Sequence, residues 1–373
     1  MPLLNADSGT RGVSPHTTEK GSDVKNSSLI SIAVVATASA LMLSGCTAAP
    51  TTDGTTASTR ACIILPDSAS SPRWEGGDRP ALEKAVTDAG FEADIQNAQG
   101  DTSKYATIAD QQLSKGCGVM ILVDYQGAGI QVAANAKKQG IPVIAYDRPI
   151  EGADYYVSFD NEKVGGLMGQ SILDGLAAAG KDPATAKVVY VGGDPTDGNA
   201  AFFHDGADAV MGAAGIKPAF ETSGSWDPAV AGTDFEQAYT TLQGSVDAVW
   251  VANDSNAAAV IAVLDKNGKV LPTSGQDASI AGLQNVLLGK QVATVYKPFT
   301  LEAEAASTLA IALLKGETPK ADKKLADGTP FIAVTPVLVG PDKVQVVVDA
   351  GDAKASEICT PALADACAKY GVK

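Results

Sequence analysis

The chain has 373 residues, with 28 Lys and Arg against 43 Asp and Glu, for a formal net charge of −15. That acidity speaks against a nucleic-acid partner, whose phosphates need Lys and Arg to neutralise them. The length suits two domains rather than one.

The leader comes first. Leu29 to Leu43 is an uncharged run of apolar and small residues behind Lys25. It falls short of the about 20 residues of a membrane-spanning helix and matches the core of a secretory signal. Leu43-Ser44-Gly45-Cys46 follows, and it resembles a bacterial lipobox. Residues 1–45 are therefore expected to be removed and Cys46 to be lipidated. Residues 46–60, rich in Thr, Ala, Ser and Gly, read as a tether. The protein is expected outside the cytoplasm, held to the outer face of the cell membrane by this lipid alone.

Beyond Cys46 an even set of cysteines remains, in a compartment that permits disulfides. Cys62 opens the first strand and Cys117 precedes a strand expected beside it, so these two are expected to pair. Cys359 and Cys367 lie close together in a polar tail and are expected to staple it. There is no Cys-x-x-Cys, and His204 is the one histidine after the leader. No metal or cofactor is expected.

From residue 61 short β-branched runs alternate with helical stretches, the pattern of parallel α/β architecture. Strands are expected at 61–65, 92–96, 119–123, 142–146, 155–158, 187–191, 217–221, 247–251, 292–296 and 332–339. Val119 to Val123 is apolar throughout, so it should be buried on both faces. Residues 161–178 place Val164, Leu167, Met168, Ile172 and Leu176 at helical spacing. Gly140, Gly180, Gly215 and Gly268 stand where helices should end. The fold class is α/β, with two doubly wound parallel-sheet domains. The first takes 61–158 and 298–335, the second 159–297 and 336–350, and 351–373 is a tail. The chain crosses between domains near 158–161, 295–301 and 335–340.

Several strands stop on clusters of hydrogen-bonding side chains, and in parallel α/β sheets ligands bind outside those ends. After the first strand, Arg73-Trp74 offers a donor fork beside an apolar plane. Asp147-Arg148 pairs a carboxylate acceptor with a fork of donors, able to hold one hydroxyl from both sides. Asp197 and Asn199 sit on a glycine-rich turn opening a helix. A phosphate cradle there lacks the P-loop Lys-Ser/Thr, and Asp194 and Asp197 would repel an anion. Helix capping by Asp197 is compatible with either reading. Trp226 lies on a loop of the second domain as Trp74 does in the first, so the two rings could cover both faces of a pyranose. Asn253, Asp277 and Lys297 complete the set. Donors and acceptors balance, which suits a neutral polyol, a sugar, better than a phosphate or carboxylate. Trp250 reads as a core residue and His204 as a helix-face residue. A glycosidase would need a carboxyl held protonated, whereas the neighbouring Arg and Lys keep these acids ionised.

The segments SSPRW (70–74), AYDRP (145–149), SFDNEKVG (158–165), GGDPTDGNA (192–200), WDP (226–228), AND (252–254), SGQDA (274–278) and VYKPFTL (295–301) run in order along the chain. In them the chain resembles the type I periplasmic sugar-binding proteins of ABC importers, closest to the xylose-binding and multiple-sugar-binding members. The resemblance implies two α/β domains joined by three crossing strands, with a monosaccharide enclosed between them. It implies sugar contacts from Arg73, Trp74, Asp147, Arg148, Asp197, Asn199, Trp226, Asn253, Asp277 and Lys297. It implies no enzyme activity, and as partners an ABC permease with its ATPase, the protein itself acting as a monomer. Presentation of the bound sugar to a chemoreceptor or sensor kinase is the alternative. Glu75-Gly76-Gly77, Gly198 and the cysteine-bearing tail depart from the family pattern. The first two bear on which sugar is bound.

Overall fold

A computed structural model describes residues 58–321 and 323–373; the leader, Cys46 and most of the tether lie outside them. Two lobes form, one on a seven-stranded sheet and the other on a three-stranded sheet with a two-stranded pair beside it. In the first, β1 (Arg60–Leu65), β2 (Glu92–Asn97), β3 (Val119–Leu122), β4 (Val143–Tyr146) and β5 (Tyr155–Phe159) pair in parallel. In the second, β6 (Val188–Val191) runs parallel between β7 (Pro218–Glu221) and β8 (Ala248–Val251). Bridges from Val249 to Thr273 and from Gln276 to Val295 connect β8 to β9 (Thr294–Tyr296). The chain then returns to the first sheet, where β10 (Lys323–Lys324) and β11 (Pro330–Val334) lie outside β5. Finally β12 (Val337–Val339) pairs antiparallel with β9 in the second lobe. The first sheet reads β10-β11-β5-β4-β3-β1-β2.

Alternation along the inner strands explains why they are apolar throughout. Met120 and Leu122 enter the core on one face of the first sheet, and Val119 and Ile121 the core on the other. Each such side chain, fully withdrawn from water, contributes about 1.5–3 kcal/mol. The helix Asn161–Ala178 packs Val164, Met168, Ile172 and Leu176 on the second sheet with Tyr190 and Trp250. Gly140 and Gly180 follow their helices with φ of 72° and 66°, a conformation costly for any residue with a Cβ.

Two expectations need correction. The single strand expected at 332–339 is two strands. Pro336 has no N–H to give to a ladder, and the chain changes sheets there, β11 serving one lobe and β12 the other. Nor is the C-terminal segment a separate polar tail. Ile358, Leu363, Cys367 and Val372 bury themselves with Leu283, Val286, Tyr296 and Val339 in one core of the second lobe. Asp352 accepts hydrogen bonds from the Tyr296 and Thr300 hydroxyls, which tie this segment to the chain around Lys297. Cys62 is bonded to Cys117, joining β1 to the turn before β3, and Cys359 is bonded to Cys367.

Candidate functional site

The cleft is built from strand ends. After β1, Asp67 accepts from the Ser70 N–H and hydroxyl. This fixes Ser70 Oγ to accept from Trp74 Nε1 at 3.0 Å and Arg148 Nη2 at 3.2 Å. Arg73 stacks on Trp74, 4.7 Å from its centroid. The Arg73 guanidinium gives Nε and Nη2 to Asp78, both at 2.8 Å, Nη1 to Asp147 at 3.2 Å, and Nη2 also to Glu302. Asp78 and Glu302, each 0% exposed, thus hold Arg73 from behind, and Tyr146 donates to Asp78 as well. Burial pushes the Glu302 carboxyl well up and the Asp78 carboxyl up, against the attraction of Arg73.

Asp147 directly follows β4 with a φ of 61°. Its backbone oxygen accepts from Tyr156 Oη, Ser158 Oγ and Asn199 Nδ2 at 2.7–2.8 Å. Burial acts to raise its carboxyl, but Lys297, Arg73 and Arg148 together bring it below the ordinary range. Arg148 donates to the Asp124 carbonyl at 2.9 Å and reaches Asp197 Oδ2 with Nε at 3.1 Å.

From the second lobe, Asp197 caps the helix Gly198–Ala213 by accepting from Asn199 N–H at 2.9 Å, and Trp226 Nε1 donates to its Oδ2 at 3.0 Å. Capping and cleft roles therefore coexist. Burial raises the Asp197 carboxyl to about 6 despite Arg148. Asn199 Oδ1 accepts from Asn161 and lies 2.9 Å from the Tyr156 hydroxyl, whose single proton it shares with the Asp147 carbonyl. Asn253 caps the helix Asp254–Lys266 through Asn256 N–H and donates Nδ2 to the Ser70 carbonyl at 3.1 Å. Lys297 lies 2.9 Å from Asp277 and 3.8 Å from Asp147, over the rings of Phe159 and Phe203. Burial works against its charge, but Asp277 and Asp147 leave its ammonium above the ordinary value.

All ten residues singled out in the sequence line one narrow cavity between the lobes, with about 30 Å³ open to the centre of a water molecule. Ser70, Ser71, Phe203 and Gln276 join them and escaped the sequence reading. The serines stand in the SSPRW segment, and Gln276 directly precedes Asp277. Gln276 donates Nε2 to the Ala252 carbonyl, while its buried Oε1 has no partner among the described residues. Asp78 and Glu302 also went unnoticed. Arg73, Arg148 and Lys297 face Asp147, Asp197 and Asp277, so the lining carries cations and carboxylates in balance and leaves polar groups for uncharged hydroxyls.

Two of the departures from the family pattern, Gly77 and Gly198, have steric causes. A Cβ on Gly198 would come within 2.8 Å of Pro149 in the opposite lobe, and one on Gly77 within 2.5 Å of the Phe299 ring. Glu75 faces outward to Arg79 and Asn97. Trp250 is core, with Tyr190 at 5.4 Å, and His204 sits on a helix face beside Glu221. Among the described residues no helix is long and apolar enough to cross a membrane, and no cluster of His, Cys, Asp and Glu could hold a metal ion.

Two α/β lobes, crossed by the chain at Asp160, Pro298 and Pro336 and closed over a polar cavity, define a type I periplasmic binding protein. The family model of the periplasmic binding protein domain matches residues 62–318, and the chain belongs to the periplasmic sugar-binding proteins of this family, which are solute-binding proteins rather than enzymes. It is 33% identical over 306 residues to the D-xylose-binding periplasmic protein of Escherichia coli, covering 77% of this chain and 88% of that one. It is 32% identical to the multiple sugar-binding periplasmic receptor ChvE of Rhizobium radiobacter, covering 79% and 91%. The crystal structure of an ABC transporter solute-binding protein from Clostridium phytofermentans with bound β-D-glucose superposes with a TM-score of 0.72 at 28% identity, covering 80% and 99%.

Proposed function

We propose that the protein captures an aldose monosaccharide, a xylose-like pentose or a hexose in its pyranose form, between its lobes and delivers it to an ABC importer. The observation that carries this reading is the charge-balanced cavity, to which both lobes contribute and neither is sufficient. Arg73, Asp147, Arg148, Asp197, Asn199, Asn253, Asp277 and Lys297 would hold hydroxyls, while Trp74 and Trp226 would cover C–H faces. The relatives named for xylose and for multiple sugars support the class. A panel of monosaccharides tests it by thermal shift, because a ligand at 100 times its Kd stabilises by about 2.7 kcal/mol. A panel without a single shift, confirmed by calorimetry, would overturn it.

Presentation of the closed form to a membrane sensor is the second reading, favoured by the relative named as a receptor. Reconstitution with the permease and ATPase separates the two: sugar-dependent ATP hydrolysis supports import. Anchoring through Cys46 is part of the proposal and rests on the leader and lipobox. Cys46→Ser should release the protein from the membrane fraction without altering sugar affinity; persistence in that fraction removes the anchor.

A further inference from the structure

We propose that Asp254 is a positioning residue that holds Asp277 in the sugar cavity by clamping the turn that carries it. The inference rests on the sugar-binding reading above and concerns a residue that does not line the cavity itself. Asp254 opens the helix Asp254–Lys266 directly after Asn253 and is 1% exposed.

The turn it holds is one that side chains disfavour. Asp277 and Ala278 have φ of 94° and 50°, left-handed values that residues with a Cβ seldom adopt unless surrounding contacts impose them. Those contacts converge on Asp254. Its backbone N–H donates to the Gln276 carbonyl at 3.0 Å. Its carboxylate accepts from Ser279 N–H at 2.9 Å and from Thr294 Oγ1 at 2.9 and 3.0 Å. Thr294 Oγ1 in turn accepts from Ala278 N–H at 3.1 Å. Asp277 N–H itself donates to the Val295 carbonyl at 2.8 Å. The turn is therefore pinned before, at and after Asp277, and Asp254 supplies both outer pins.

Hydrogen-bond donors surround the Asp254 carboxyl, while burial and the nearby Asp277 raise it to about 7. Gln291 Nε2 gives it a further hydrogen bond at 2.8 Å, so the side-chain and backbone groups it meets are donors. A Cβ on Gly275 or Gly282 would lie 2.3 or 2.0 Å from its oxygens, so both glycines leave space for it. An asparagine of the same shape would turn an NH₂ against one of these donors and release that contact. Asp277, freed from the strained turn, would then lose its alignment with Lys297.

The test is a double-mutant cycle on sugar affinity by calorimetry, using the sugar of the panel that gives the largest thermal shift. Asp277→Ala and Asp254→Asn are each expected to raise Kd tenfold or more. In the Asp277→Ala background, Asp254→Asn is expected to change Kd less than twofold, because its effect passes through the missing side chain. Thr294→Val, which removes the hydroxyl between Asp254 and Ala278, should show the same coupling and decides the matter if Asp254→Asn does not fold. Wild-type affinity in Asp254→Asn, or an equal loss in both backgrounds, would overturn the positioning role while leaving the sugar site standing. Wild-type affinity in Asp277→Ala would instead strike Asp277 from the site and the inference with it.

Discussion

Arg148 Nε lies 3.1 Å from Asp197 Oδ2, and this contact joins the first lobe to the second. Their side chains are 6% and 7% exposed, so the pair is withdrawn from water in the closed cleft. Asn253 to the Ser70 carbonyl and Asn199 to the Asp147 carbonyl repeat the pattern. Arg148, Asp197, Asn199 and Asn253 thus serve the closure as well as the cavity. A ligand enclosed here adds its hydrogen bonds to a set the lobes already share.

Arg148→Ala and Asp197→Ala should each weaken sugar binding by about 1.5–3 kcal/mol, the worth of a hydrogen bond to a charged group. Each leaves a buried partner uncompensated in the closed form only, since opening returns it to water. Calorimetry should register the loss while circular dichroism stays that of the wild type.

Sugar affinity should fall as pH is lowered through about 6, where Asp197 takes up a proton. The ionised carboxylate is the better acceptor for a sugar hydroxyl and the partner of Arg148. The linked stability term has the opposite sign. The folded value lies above the unfolded value of about 3.9, so this group's contribution is complete below about pH 4 and lost as pH rises through about 6. Kd measured from pH 5 to 8 should show the step, and Asp197→Asn should flatten it.

Replacing Cys359 and Cys367 with Ser should lower stability by about 2–3 kcal/mol, and replacing Cys62 and Cys117 by about 4 kcal/mol, from their loop separations of 8 and 55 residues. The first loss should be felt by the second lobe as a whole, because Cys367 and Ile358 lie in its core. Urea unfolding followed by lobe-specific probes checks this: a change confined to the C-terminal segment would contradict it.

Binding should compact the molecule. Sugar contacts divided between the lobes are all made only when closed, so ligand shifts the population that way, with rotation absorbed near Asp160, Pro298 and Pro336. Small-angle scattering should give a smaller radius of gyration with saturating sugar than without. An unchanged profile, with binding confirmed, would place the ligand within one lobe.

What the sequence by itself determined is the class of architecture and the polar edge. Strands alternating with helices make the sheets mainly parallel, parallel strands bring their carboxyl ends to one side, and Asp147-Arg148, Asp197, Asn253 and Lys297 stand at or just past those ends. These are local regularities, readable in a few residues at a time. What only the tertiary structure decided is which groups share each charge. Arg73 depends on Glu302, 229 residues away; Asn253 closes on Ser70, 183 away; Asp254 reaches Thr294, 40 away. The C-terminal segment likewise looked polar until Ile358, Leu363 and Cys367 met a core supplied by other elements. A buried charge or a small apolar cluster carries no period of its own, because its free energy depends on partners that only folding brings within a few ångströms.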